Sequence, residues 1–278
     1  MHNQALNFYH IYPYCQAPVL AKKYTPAVPK RARQYCMPVN AACREGMLFF
    51  PPLTMQAKLT SQSLLLRYQT EDGEQKQHEI ALHAQNEIDT ETSTNTRCSN
   101  NNYIIIHDLS PSRSDELQKK YRARMQDESM PDYIDKDNFG FYEVLANAMI
   151  EPEGAYLQLW LGGVIQTAPG TSVMIKHPSN FISDPGWHCL DAIVESDHWH
   201  GWFAVVIQIP NNNEWVTIDE NKPLCQAIPL TQGSTSLELS ALDEIPQEHF
   251  TGPLKWHVFD PEYGVKPGKY QRERQKRK

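Results

Sequence analysis

Between Ala155 and Leu230 the chain alternates β-type apolar runs of four to eight residues with tight punctuation, and few architectures accept that rhythm. The runs are Ala155 to Gly162, Ser172 to Lys176, Leu190 to Glu195, Trp202 to Ile209, Glu214 to Asp219 and Leu224 to Leu230. The breaks are Pro-Gly, Pro-Ser-Asn, Asp-Pro-Gly and Asn-Asn-Asn. Glycine, proline and asparagine end strands by supplying turn conformations, so the pattern predicts a mainly β fold: a barrel or sandwich of short antiparallel strands.

Upstream, the same logic gives shorter pieces. Proline repeatedly interrupts the apolar runs between residues 6 and 57, which predicts short extended segments and no long helix. The stretch L-T-S-Q-S-L-L-L-R-Y-Q-T, E-D-G-E and Q-K-Q-H-E-I-A-L-H-A predicts a hairpin turning at Asp72-Gly73, a dipeptide suited to positive φ. Residues 89–102 are almost free of apolar side chains and predict a mobile loop, after which Tyr103 to His107 forms a strand. Ser114 to Met130 opens on a serine N-cap with acids in its first turn and places Leu117, Tyr121 and Met125 at spacing four, as a one-sided helix requires. Phe141, Leu145 and Met149 repeat that spacing and predict a second short helix. The expected organisation is one β-rich domain over 1–265, with a helical insertion at 114–149 and a disordered basic tail at 266–278.

Composition removes several functions. No run of 18 apolar residues occurs and the N-terminus lacks the basic and apolar regions of a secretory signal, so a cytoplasmic protein without a membrane span is expected. The cysteines Cys15, Cys36, Cys43, Cys98, Cys189 and Cys225 form no C-x-x-C pair, which points to buried free thiols in place of a zinc ribbon or disulfide framework. Neither G-K-[ST] nor G-x-G-x-x-G is present, so Gly162-Gly163 is no phosphate loop. The tail from Lys266 carries seven Lys or Arg against one Glu; its +6 rides on a body of −13, giving the chain's −7. Such an end either contacts nucleic acid or another anion, or is simply solvated.

Three motifs carry a resemblance. Pro169 to Asn180 (P-G-T-S-V-M-I-K-H-P-S-N), Ala192 to Asp197 (A-I-V-E-S-D) and Lys222 to Pro229 (K-P-L-C-Q-A-I-P), with Ile11 to Pro13 (I-Y-P) near the start, resemble an uncharacterised bacterial and phage family. That family pairs an early Y-P with later P-P-G, P-x-N, G-I-V-E-T-D and G-x-P-x-x-Q motifs, and it implies one domain without implying an activity. More distantly, Pro178-Ser179-Asn180, Ala192 to Asp197 with Gly201, and Asn221 to Ile228 resemble in order the P-R-S-G, G-V-I-D-x-D-Y-R-G and G-x-R-I-A-Q motifs of the dUTPase and dCTP deaminase superfamily. This resemblance implies a β-clip barrel, nucleotide-directed hydrolysis and homo-oligomeric assembly. The chain lacks the arginine of the first motif, has Ala192 for the glycine of the second, and ends in basic residues where the superfamily carries a glycine-rich arm.

One segment concentrates ionisable chemistry: His188, Asp191, Glu195, Asp197, His198 and His200 fall within thirteen residues. On a strand His198 and His200 would share a face, and with Glu195 they are candidate ligands for zinc or non-haem iron. Against that stands a turn at D-H-W-H-G in which the histidines are exposed or hydrogen-bonded. Glu195 and Asp197 could instead pair as an acid and a base, or cap a turn. Trp187, Trp199, Trp202 and Trp215 either line a pocket or fill the core. The sequence names no cofactor. It favours a binding or accessory protein with a cleft near His177, Asn180, Glu195, Asp197 and Trp199 for a small polar ligand or partner segment. The alternatives are a metal-dependent oxygenase and a nucleotide-directed hydrolase.

Overall fold

In the computed structural model, which describes residues 6–25, 28–81, 103–106, 113–126, 144–151, 154–181, 186–199 and 202–232, the first half holds β1 (Leu6–His10), β2 (Val19–Leu20), α1 (Lys30–Tyr35), α2 (Met37–Arg44), β3 (Met47–Phe49), β4 (Met55–Leu59), β5 (Ser63–Gln69) and β6 (Gln75–Ala81). Next come β7 (Tyr103–Ile106), α3 (Ser114–Met125), β8 (Val144–Glu151), β9 (Gly154–Thr167) and β10 (Thr171–Lys176). The last strands are β11 (His188–Cys189), β12 (Ala192–Val194), β13 (Trp202–Pro210), β14 (Val216–Ile218) and β15 (Cys225–Thr231).

These strands form three antiparallel sheets. One has the order β11-β13-β9-β8-β7 with β1 also on β9, the second β12-β10-β15-β3-β2, and the third β14-β4-β5-β6. This is the mainly β, antiparallel class that the sequence predicts. The period-two pattern explains it locally: in β4, Met55, Ala57 and Leu59 are buried while Gln56 and Lys58 are not. All three sheets feed one core, in which Leu64, Leu157, Ile207 and Ala227 are fully enclosed and Phe203 packs its ring 4.6 Å from that of Phe49.

The 14-residue β9 organises the first sheet. Its first half pairs with β8 (Ala155 with Ile150), and its second half with β1 (Val164 with Tyr9). The handover occurs at Gly162, whose carbonyl accepts the N–H groups of both Ile11 and Tyr12 at 2.9 Å. Gly162 has φ +76, and a Cβ there would lie 2.5 Å from that of Cys15, so this position needs glycine. The Gly-Gly pair thus serves close backbone packing.

Several expectations need correction. Phe141–Met149 is no helix: Val144–Glu151 is β8, paired on both sides by β7 and β9, and residues 141–143 lie outside the described residues. A spacing of four suits one face of a strand as well as one face of a helix, so Leu145 and Met149 could not discriminate. Between residues 6 and 57, α1 and α2 are short helices in place of extended pieces, and Pro38 stands in the first turn of α2, where a missing N–H costs nothing. The helix at Ser114 forms but ends at Met125, and its N-cap is Arg113 without a side-chain cap bond; Ser114 is the first helical residue. The Asp72-Gly73 hairpin joins β5 to β6, with Gly73 at φ +86. The 89–102 loop and the 266–278 tail lie outside the described residues.

Helix α3 docks on the first sheet through Tyr121, whose ring lies 5.2 Å from that of Tyr12, itself 4.4 Å from Trp160. Arg124 reinforces the contact: its Nη1 meets His10 Nδ1 at 3.1 Å and donates to the His10 carbonyl at 3.2 Å. Burial, with the Arg124 charge adding to it, holds the His10 imidazole below its ordinary value of 6.5. Burial moves His78 and His177 the same way. A histidine with a lowered folded pKa binds its proton more readily in the unfolded chain, so its contribution is intact above about pH 6.5 and is lost as pH falls through that value. His10→Asn keeps an acceptor for Arg124 and removes one such site. Its urea midpoint is expected to decline less steeply than wild type between about pH 7 and pH 5; parallel profiles would dismiss the His10 contribution.

Candidate functional site

The segment His177–Asn180 leaves β10 in a turn held from three sides. Lys176 Nζ donates to the His177 carbonyl at 2.9 Å and to Ser179 Oγ at 3.1 Å, and the Ser179 N–H donates to Gln226 Oε1 at 2.9 Å. Asn180 adopts φ +58, which asparagine tolerates, and its amide donates to the Cys43 sulfur at 3.3 Å. The His177 ring stacks on His188 (centroids 5.3 Å apart) and meets Trp187 edge-on at 5.6 Å. Desolvation, with His188 and Lys176 adding to it, lowers its pKa, so the imidazole is neutral at pH 7.

His177 and Trp187 form one wall of an open cleft of about 490 Å³. The opposite wall comes from the turn after β13 and from β14: Asn212, Glu214, Trp215, Thr217 and Asp219, followed by Lys222. Trp187 is 8% exposed and donates its indole N–H to the Thr217 carbonyl at 3.1 Å, tying the two walls together. Trp215 is half-buried and carries the Arg67 guanidinium 3.9 Å from its ring centroid. Arg67 is itself fixed by Gln56 Oε1 at 2.6 Å, and Gln56 donates to Thr217 Oγ1 at 3.2 Å, a ladder across three paired strands. Asp219 accepts the Asn221 backbone N–H at 2.9 Å, which leads the effects keeping its carboxyl below the ordinary value, and faces Lys222 at 3.7 Å.

Of the five residues that the sequence proposes for a ligand cleft, His177 alone lines this one among the described residues, and of the four tryptophans Trp187 and Trp215 join it. Glu195, Asp197, His198 and Trp199 share a different feature, a turn in which the Glu195 carbonyl accepts the N–H groups of His198 at 3.1 Å and Trp199 at 2.8 Å. The Asp197 carboxylate, its side chain 1% exposed, accepts the Gly170 N–H at 2.8 Å and the Gln232 amide at 3.1 Å, fastening the β9–β10 turn. Burial works to raise its pKa, but the Gly170 N–H, the His198 imidazole and the Gln232 amide outweigh it, leaving the carboxyl below its ordinary value. The His198 side chain is 79% exposed, 3.5 Å from Asp197, and Trp199 is 48% exposed. His200 lies outside the described residues. Among the described residues no three His, Cys, Asp or Glu side chains converge as a metal site.

Four of the described thiols, Cys15, Cys43, Cys189 and Cys225, are buried and unbridged, and desolvation pushes the Cys15 and Cys189 thiols up to about 12. Cys15 and Cys189 are therefore protonated and poor nucleophiles at neutral pH.

No family model and no curated protein matches the chain. Similar solved structures include the native dUTPase of EIAV, at 15% identity and TM-score 0.26 over 37% of this chain and 86% of that one. The dUTPase from phage phi11 of S. aureus is similar at 12% identity and TM-score 0.25, over 37% of this chain and 84% of that one. At these values the likeness brings no activity, ligand or assembly to this chain. No helix among the described residues is long and apolar enough to cross a membrane.

Proposed function

We propose that this chain is a binding protein whose ligand occupies the cleft between His177–Trp187 and Asn212–Lys222. The observation that carries the reading is the pairing, across about 490 Å³, of two indoles with convergent polar side chains. Clefts of this size that combine aromatic surface with a few placed polar groups are the ordinary form of a small-ligand site. The engagement of Asp197 with Gly170 and Gln232 supports a structural part for the Glu195–Trp199 turn, and moves the centre of the site to the other end of β10.

Tryptophan reports occupancy directly. A fluorescence and thermal-shift screen against nucleotides, sugars, amines and carboxylates is expected to find a class that saturates. Trp215→Ala should weaken that ligand by about tenfold, the loss expected for a buried aromatic contact, while Trp199→Ala leaves it unchanged. Saturation that survives Trp215→Ala, or the absence of any saturating class, would remove this cleft as the site.

A further inference from the structure

We infer that the ligand of this cleft is a carbohydrate, held with the C–H face of a pyranose ring on Trp215 and its hydroxyls against Glu214, Asn212 and Lys222; the inference rests on the binding reading above. Three observations narrow the class. The first is charge. The cleft carries Glu214, Asp219 and Lys222, with Lys222 facing Asp219 at 3.7 Å, and the His177 imidazole is uncharged, so no dominant single-sign field selects an ion.

The second is the state of Trp215. Its ring already holds the Arg67 guanidinium at 3.9 Å, with Lys58 Nζ at 6.0 Å from the centroid. A second cation on the same indole would meet the repulsion of both. A neutral ring presenting weakly positive C–H bonds to the negative π-face meets far less of it. Arg67, pinned by Gln56, also holds the indole as a fixed platform, which reduces the entropy lost on binding.

The third is the mixture of donors and acceptors. Asn212 Oδ1 accepts the Glu214 N–H at 3.1 Å, which leaves the Asn212 amide nitrogen as a donor. The Glu214 carboxylate is an acceptor and Lys222 a donor. Each hydroxyl of a sugar both donates and accepts, so a ring of hydroxyls can satisfy such a mixed rim from one face, as a purely anionic or cationic group cannot. The cleft is open to solvent along Asn212, Glu214 and Thr217, all exposed, so an oligosaccharide can extend beyond it.

The test follows the indole N–H resonances of nitrogen-15-labelled full chain during titration with glucose, galactose, mannose, N-acetylglucosamine and their trisaccharides. Tetramethylammonium, acetate and AMP serve as probes of the other classes. At least one sugar is expected to shift the Trp215 resonance saturably, with a Kd on the order of 1 mM because an open cleft leaves much of the ligand solvated. Trp215→Ala, read at Trp187, should weaken it by about tenfold, Trp215→Phe should restore part of the loss, and Glu214→Gln should cost about fivefold. Sugars silent up to about 100 mM while another probe saturates these residues would overturn the carbohydrate inference and leave the binding function standing. Silence from every probe would overturn both. Sugar binding unaffected by Trp215→Ala would place the sugar elsewhere and overturn the inference.

Discussion

Gly46→Ala is expected to destabilise the chain by about 4 kcal/mol and to lower its Tm by about 10 °C, two additive penalties being built into one position. Gly46 links α2 to β3 at φ +71, where an L side chain is strained by about 1 kcal/mol. The larger part is steric. A Cβ at this position would sit 1.9 Å from the Ala227 carbonyl oxygen, and that atom belongs to the β15 backbone that pairs with β3 through Ala227 and Met47. A backbone atom inside a sheet cannot swing aside as a side-chain tip can, so β15 must shift as a whole. Gly170→Ala supplies the control: its φ is +73 with nothing within 4 Å of the added Cβ, and only the conformational cost of about 1 kcal/mol should appear. Urea unfolding of the two variants separates the terms. Equal losses would show that the clash is relieved cheaply.

Gln226→Leu is expected to cost about 3 kcal/mol although leucine adds apolar volume to an apolar place. Gln226 is 1% exposed and spends its whole amide on backbone: Oε1 accepts from Ser179 N–H, and Nε2 donates to the carbonyls of Ala42 at 2.9 Å and Glu45 at 2.7 Å. Those carbonyls belong to the C-terminal end of α2, where backbone acceptors have no helical partner. Leucine would orphan one donor and two acceptors, each worth about 1–3 kcal/mol when water cannot replace the bond, with partial relief at the exposed helix end. Gln226→Glu discriminates further: at neutral pH its carboxylate can accept from Ser179 but faces two carbonyl oxygens, so acidification should recover part of the loss. A loss below about 1 kcal/mol for leucine would show that solvent reaches these groups. Gly46 and Gln226 meet at one corner, and the double variant should lose less than the sum.

These two residues also show what the sequence made legible. The motifs V-E-S-D and P-L-C-Q stand out because each contributes a side chain that completes another segment's backbone, and P-S-N because its Ser179 N–H is one of the groups so completed. Gln226 serves the turn at Ser179, Asp197 serves Gly170, and the Ser196 hydroxyl bonds that of Thr167 at 2.8 Å. Such joints explain why the strands and punctuation of the last third could be read directly, and why the polar cluster near Asp197 looked like chemistry. The cleft was only half visible. His177, Trp187 and Trp215 could be singled out as residue types, but the segment of Glu214, Asp219 and Lys222 meets His177 and Trp187 only through long-range contacts such as the Trp187 indole bond to the Thr217 carbonyl, which no local spacing encodes. One clue was present. In β14 Val216 and Ile218 face the core while Trp215 precedes them on the alternate, polar phase with exposed Thr217, and a tryptophan on that phase needs a reason.

The handover at Gly162 bears on how the molecule is made. Tyr9, on the first strand, donates its hydroxyl proton to a Gln166 side chain 157 positions later, and β3 must likewise await β15. A nascent chain therefore holds β1 without its partner, and β3 paired on one edge only with the short β2, until most of the sequence has been synthesised, whereas the β4–β5–β6 hairpins can close as soon as they emerge. Topology of this kind makes folding slow, and during that interval the apolar edges of the early strands are the part most in need of protection from aggregation.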